Sequence, residues 1–298
     1  MFGFLKRRPD FLIVGAQKAG TSSLEFFLAR HPGIKCARKK EVGFFSRDKV
    51  YDLGANWYAK QFPDRGRPGV LLFEATPEYL YYPFVAERIF RFNPGMKLIV
   101  LLRNPVERAF SAWNMFRQFH ADPRIKEATI AEYLEEANPE ARNPLLELLG
   151  RTEFPDFDSC VKEEINLLQA GKPQALEPSL VRRGLYHEQI QRFYRQFPKE
   201  NILILESTEL KTRRAAALNG LLRFLGLPEA DWERTDLQDK HVRQYDAPMS
   251  DSVRDMLRKF FEPHNAELYS FLGREFDWDG KENRSWPVKA STMPANQE

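Results

Sequence analysis

Cysteine is nearly absent: Cys36 and Cys160 are the only two in 298 residues. That excludes a disulfide framework or a cysteine-based zinc site, and two free thiols in a reducing compartment is the simpler expectation. Histidine is sparse as well. His31, His120, His187, His241 and His264 are scattered, with no spacing of metal-ligand type, so no metal is expected. No apolar run approaches the roughly 20 residues of a membrane span. The opening Met1-Phe-Gly-Phe-Leu-Lys-Arg-Arg-Pro9 is too short in apolar residues for a signal peptide, and its basic residues follow the apolar ones. A soluble cytoplasmic protein without stable membrane insertion is the expectation. Nor does one charge dominate. Forty-five basic residues face 42 acidic ones, a net of +3, so no global field recruits nucleic acid and any anion must be gripped locally. Internal repeats and low-complexity tracts are missing too.

What is present is ordinary globular composition, 43% hydrophobic and 29% charged, with 24 phenylalanines for an aromatic core or an apolar acceptor groove. Short continuous apolar runs at Phe11–Val14, Val70–Phe73, Lys97–Leu102 and Asn201–Leu205 read as buried strands, with a shorter one at Ile34–Ala37. Helical patterns lie between them, at about 20–30, 82–92, 104–119 and 185–196. Buried strands alternating with helices predict an α/β fold, a central parallel sheet flanked by helices. The stretch from about 121 to 183 carries six prolines among charged helical fragments and no convincing strand. It reads as an insertion on the sheet's rim. A helix is expected from about Ser250 to Leu272, and a loose tail over about 280–298, all within a single domain spanning 1–298.

The strongest local signal is Gly15-Ala-Gln17-Lys18-Ala19-Gly20-Thr21-Ser22-Ser23, set between a buried strand and a helix. Backbone N–H groups and a helix N-terminus converge on a phosphate at such a junction. Gly15 and Gly20 permit a tight turn and close approach of an anion, and the three hydroxyls add donors. The two glycines keep the spacing of a Walker A loop, but its lysine has moved to Lys18 and Thr21 stands in the lysine position. That displacement argues for a phosphate ester other than a nucleoside triphosphate. The bland alternative is a glycine-containing turn with a solvated lysine.

A second anion device is Arg103-Asn104-Pro105-Val106-Glu107-Arg108-Ala109-Phe110-Ser111. Arg103 ends a buried strand, where ligands of open α/β sheets bind, and Pro105 suits the first turn of the next helix, which carries Ser111. An arginine fork grips phosphate. Alternatively Arg103 pairs with Glu107 and Ser111 fills a small gap.

Together these segments resemble the PAPS-dependent sulfotransferases, where PAPS is 3′-phosphoadenosine-5′-phosphosulfate. Gly15–Ser23 looks like their 5′-phosphosulfate loop, and Arg103 with Ser111 like their 3′-phosphate motif. The heparan-sulfate branch is most similar, as for a bacterial-like soluble member. The likeness runs through Lys40-Glu41-Val42-Gly43-Phe44-Phe45, Glu74-Ala75-Thr76-Pro77-Glu78-Tyr79, Gly184-Leu185-Tyr186, Phe261–Asn265 and Gly273–Trp278. It covers nearly the whole chain except the insertion. The resemblance implies a P-loop NTPase-like three-layer fold, PAPS as donor, PAP as product, and no metal. It implies donor binding by Gln17, Lys18, Ala19, Gly20, Thr21, Ser22, Ser23, Arg103, Ser111, Tyr186 and Arg243. By the same likeness Glu41 is the catalytic base, and Lys18 acts on the leaving group. The acceptor, a small molecule or saccharide, offers a hydroxyl or an amine. Three departures stand out: Ala75 where that branch commonly has lysine, no C-terminal disulfide, and Lys240-His241-Val242-Arg243 in place of a Lys-Gly-Arg loop. Competing readings are a P-loop-like nucleotide kinase or NTPase, with Glu74 the only contender for a Walker B acid, and an inert PAP- or carbohydrate-binding module.

Overall fold

The computed structural model describes residues 8–136, 144–172, 179–232, 245 and 248–278. Five parallel strands, β1 (Phe11–Gly15), β2 (Ile34–Cys36), β3 (Leu71–Ala75), β4 (Lys97–Leu102) and β5 (Ile202–Glu206), form one sheet in the order β2-β3-β1-β4-β5. β1 and β4 are buried along nearly their whole length because helices cover both faces of the sheet. From β1 the chain passes through α1 (Thr21–Leu28) to β2 on one side, whereas from β4 it goes to β5 on the other. The loops after β1 and β4 therefore part in opposite directions, and a crevice opens at the carboxyl ends between them.

β3 runs two residues beyond the apolar run that foretells it, taking in Glu74 and Ala75. The charged Glu74 would end a strand by pattern alone, but it is accommodated in the core by hydroxyl donors described below. The segment 42–62 holds two helices that show no clear pattern in the sequence, α2 (Asp48–Tyr51) and α3 (Gly54–Lys60). The helix after β3, α4 (Val85–Phe92), starts beyond Pro83.

α5 (Pro105–Ala121) begins as its sequence predicts. Pro105 occupies the first turn and the Asn104 side chain accepts the Val106 N–H at 3.0 Å. Within 121–183 the described residues form α6 (Pro123–Glu136), α7 (Pro144–Gly150) and α8 (Phe157–Gln169), with no strand. Pro123 and Pro144 open helices there, which is the position that tolerates a missing N–H. This segment is more than a rim: Leu145, Leu149, Phe157 and Val161 pack with α5 and with α12 (Asp251–Leu272) in a second apolar core. The remaining helices are α9 (Tyr186–Tyr194), α10 (Ser207–Thr212) and α11 (Arg214–Leu225). No helix among the described residues is long and apolar enough to cross a membrane. The tail expected at about 280–298 lies outside the described residues.

Candidate active site

The loop between β1 and α1 carries two backbone demands. Gly20 has φ +103°, in the region only glycine adopts freely, and precedes α1 without any side-chain cap. The Thr21 and Ser22 amides at the start of α1 are thus left for a ligand, while the Ser23 N–H is taken by the Gly20 carbonyl at 3.0 Å. Gly15 answers to a different neighbour from the anion its sequence context suggests. A Cβ there would lie 2.6 Å from Leu80 Cβ and 3.1 Å from the Pro77 carbonyl, so the glycine lets the segment after β3 pack against β1.

Arg103 joins the two anion devices. Its Nη1 donates to the Lys18 carbonyl at 2.8 Å, fixing the backbone of a residue that sits at φ +69°. The alternative pairing with Glu107 is not what forms: Glu107 is buried and paired with Arg254 of α12. Ser111, one of the buried polar residues of α5, accepts a hydrogen bond from the Tyr245 hydroxyl at 3.0 Å. With that lone pair occupied, the serine's own proton remains to be donated.

A cleft of about 320 Å³ lies over these groups. Its walls include Gln17, Lys18, Ala19, Gly20, Thr21, Ser22 and Ser23 from the first loop, with Arg103 and Ser111 from the second. Nine of the eleven residues expected to hold the donor therefore come together. Tyr186 does not: it is 2% exposed, off the wall of the cleft, and its hydroxyl donates to the Arg103 carbonyl at 2.8 Å. It supports Arg103 from behind. Arg243 lies outside the described residues.

Glu41 and Lys40 also line the cleft. Lys40 Nζ donates to Ser22 Oγ at 2.6 Å and lies 3.7 Å from a Glu41 oxygen, so it links the donor loop to the carboxylate. Although about half of its side chain remains exposed, the protein packed around Glu41 still raises its carboxyl above the ordinary glutamate range by desolvation. Glu78 adds to the rise, while Lys40 and Arg47 oppose it. Such a carboxylate is a better proton acceptor than a free one.

Ser207, Leu210 and Lys211 of α10, with Met115 and Tyr245, are wall residues that the sequence did not single out. Ser207 directly follows β5, so the rule that ligands gather at strand carboxyl ends would have found it. The chemistry of the wall suits a phosphorylated, sulfated nucleotide: cations from Lys18, Lys40, Arg103 and Lys211, a row of hydroxyls, and an uncapped helix N-terminus.

Comparisons with known proteins agree. The sequence model of the family described as "Sulfotransferase domain" matches residues 8–247. The membrane-associated sulfotransferase kil1 of Dictyostelium discoideum is 26% identical over 91% of this chain and 66% of its own length. The bifunctional heparan sulfate N-deacetylase/N-sulfotransferase 2 of Homo sapiens is 28% identical over 90% of this chain, but that match takes in only 30% of its own length. The chain thus spans just under two thirds of the first relative and about a third of the second. A crystal structure of a sulfotransferase from Alicyclobacillus acidocaldarius superposes with a TM-score of 0.63 at 26% identity, over 91% of this chain and 98% of the other. With the family model matching well over half of it, the chain belongs to the sulfotransferase domain family.

Proposed function

We propose that this chain transfers a sulfuryl group from PAPS to a hydroxyl or amine of an acceptor, with Glu41 as base and Lys18 stabilising the leaving group. The observation that carries this reading is the cleft itself, where the two anion-binding loops and Glu41 share one wall and Lys40 bridges them. When bound, PAPS supplies the sulfuryl group and leaves as PAP. The residues present fit it. Ser22, Ser23, Thr21 and the α1 amides suit the 5′-phosphosulfate, and Arg103 with Ser111 suits the 3′-phosphate. Lys18 counters charge that grows as the bond breaks, which lowers the barrier more than it tightens binding. Glu41 takes the acceptor's proton as the oxygen or nitrogen attacks in line. Arg243 keeps its proposed place on the nucleotide.

The acceptor is proposed to be a carbohydrate or a hydroxylated metabolite, since one matched relative is named for heparan sulfate. Ala75, which is buried, supplies no cation where that branch commonly has lysine, and Lys40 is the cation beside the base instead. PAPS turnover across a panel of saccharide and small hydroxylated acceptors tests the reading, with products identified by the mass of one added sulfuryl group. Glu41→Gln should leave PAP affinity nearly intact and cut turnover by roughly 10²–10⁴. Wild-type activity should fade on the acid side at a pH above the ordinary glutamate range, because the Glu41 carboxyl is raised. An unchanged Glu41→Gln enzyme removes Glu41 as the base, and Mg²⁺-dependent ATP turnover without sulfuryl transfer overturns the whole reading.

A further inference from the structure

Glu74 sits near the end of β3, 1% exposed, beneath the loop that carries Glu41. Four neutral donors converge on its carboxylate. The Tyr58 and Tyr79 hydroxyls donate to Oε1 at 2.5 and 2.8 Å, the Thr76 hydroxyl to Oε2 at 2.7 Å, and the Val42 backbone N–H completes the set. Burial raises the Glu74 carboxyl and these four donors pull against that rise; with about four acceptor sites, the carboxylate is saturated by them.

The polarity of the arrangement has a consequence one residue away from the base. A hydroxyl has a single proton. Thr76 and Tyr79 direct theirs at Glu74, which turns their lone pairs toward the loop. Thr76 Oγ1 accepts the Gly43 N–H at 3.4 Å, and the Tyr79 oxygen accepts the Phe45 N–H at 3.3 Å. Glu74 thereby holds Val42 directly and Gly43 and Phe45 through one hydroxyl each. The residue before this tethered run is Glu41, at φ +52°. A non-glycine residue stays in that left-handed region only where its surroundings hold it there.

We infer that Glu74 is a positioning residue for the reaction, setting the backbone from which Glu41 faces the donor loop. This rests on the proposed role of Glu41. Glutamine at position 74 keeps the volume but replaces an acceptor oxygen by a donor amide. A hydroxyl facing that amide must accept instead of donate, so where it meets Thr76 or Tyr79 their protons turn away and the lone pairs they offer to Gly43 and Phe45 shift with them.

The test is a cycle of Glu74→Gln, Glu41→Gln and the double variant, read as kcat and KM for the acceptor, PAP Kd by calorimetry, and Tm. Glu74→Gln should lower kcat roughly 10- to 100-fold, as misplacement of a reacting group does, with PAP Kd within about twofold. The double variant should be no slower than Glu41→Gln alone, because a positioning residue has nothing left to position. A Glu41→Gln enzyme with wild-type turnover removes the premise and overturns the inference with it. A slow Glu41→Gln enzyme whose loss multiplies with that of Glu74→Gln overturns the inference alone. So does a Glu74→Gln enzyme that loses PAP affinity as much as turnover. Should Glu74→Gln fail to fold, Thr76→Val and Thr76→Ser decide. Valine removes the relay to Gly43 and should lower kcat at unchanged PAP Kd, and serine should restore it; equal rates for the two overturn the inference.

Discussion

At Lys18 the backbone and the side chain have separate duties. Its carbonyl is held by Arg103 and its φ is +69°, so the main chain is committed to shaping the loop, while the residue also lines the cleft. Removing the side chain alone leaves that backbone contact in place. If the ammonium stabilises charge that appears only as the bond to the leaving group breaks, its loss is felt in the transition state more than in the bound product. Lys18→Ala should therefore lower turnover by roughly 10²–10³, the effect of removing one preorganised donor, and weaken PAP binding by a smaller factor. Steady-state kinetics beside calorimetry with PAP measures both. Equal losses in the two would make Lys18 a phosphate anchor only. Arg103 differs, because it also binds the first loop to the second; substituting it disturbs the cleft as well as the contact.

Elements hold these residues in register through a few buried polar joints. One is Glu164 of α8, whose carboxylate accepts the Arg182 N–H at 2.8 Å and the Val181 and Leu180 amides. It ties the inserted helices to the 3₁₀ turn Arg182–Gly184, and so to Tyr186, which supports Arg103. Burial pushes the Glu164 carboxyl up to about 7, against the pull of those amides and of nearby Arg108. Its folded pKa lies above its unfolded one, so its stabilisation is complete at pH values below the unfolded pKa. It is lost as pH rises to about 7. Relative to Glu164→Gln, whose amide does not titrate, wild-type Tm should fall between pH 5 and pH 8. A constant difference would show that Glu164 does not titrate there. Joints of this kind explain what the sequence revealed and what it concealed. The loop Gly15–Ser23 and the Arg103–Ser111 segment were legible because each juxtaposes a buried strand, a turn and a helix start within a dozen residues. Glu74 and Tyr186 were not legible as supports, because their roles depend on partners from distant segments. α10 was missed because its six residues are too few for an apolar period, and its capping box begins on a strand residue, Glu206.

Across the whole molecule the cleft lies where two apolar cores meet. Ala19 of the first loop belongs to the core around the sheet, while Tyr245 belongs to the core of α5, α7, α8 and α12, and Met115 packs against it. Ser111, held by Tyr245, and Arg103, backed by Tyr186 of α9, bring both cores to the same ligand. A nucleotide that bridges the cleft stabilises only the state in which both cores are folded and docked. At 100 times its Kd, a ligand bound only to the folded state adds about 2.7 kcal/mol, which for a chain of this size corresponds to a Tm rise of roughly 5 °C. We therefore expect PAP to raise Tm in one cooperative transition seen alike by circular dichroism and by tryptophan fluorescence. The same rise should appear in EDTA as in Mg²⁺, because the cations proposed to meet the phosphates are Lys18, Arg103 and their neighbours. A rise that needs Mg²⁺ would count against that assignment. Two transitions, of which PAP moves only one, would show that the inserted helices form a separate unit and that the single-domain reading is wrong. The contacts from Tyr186 of the sheet's core to the Arg103 carbonyl, and from Arg103 to the Lys18 carbonyl, argue for one transition, since the start of α5 cannot leave the sheet without breaking them.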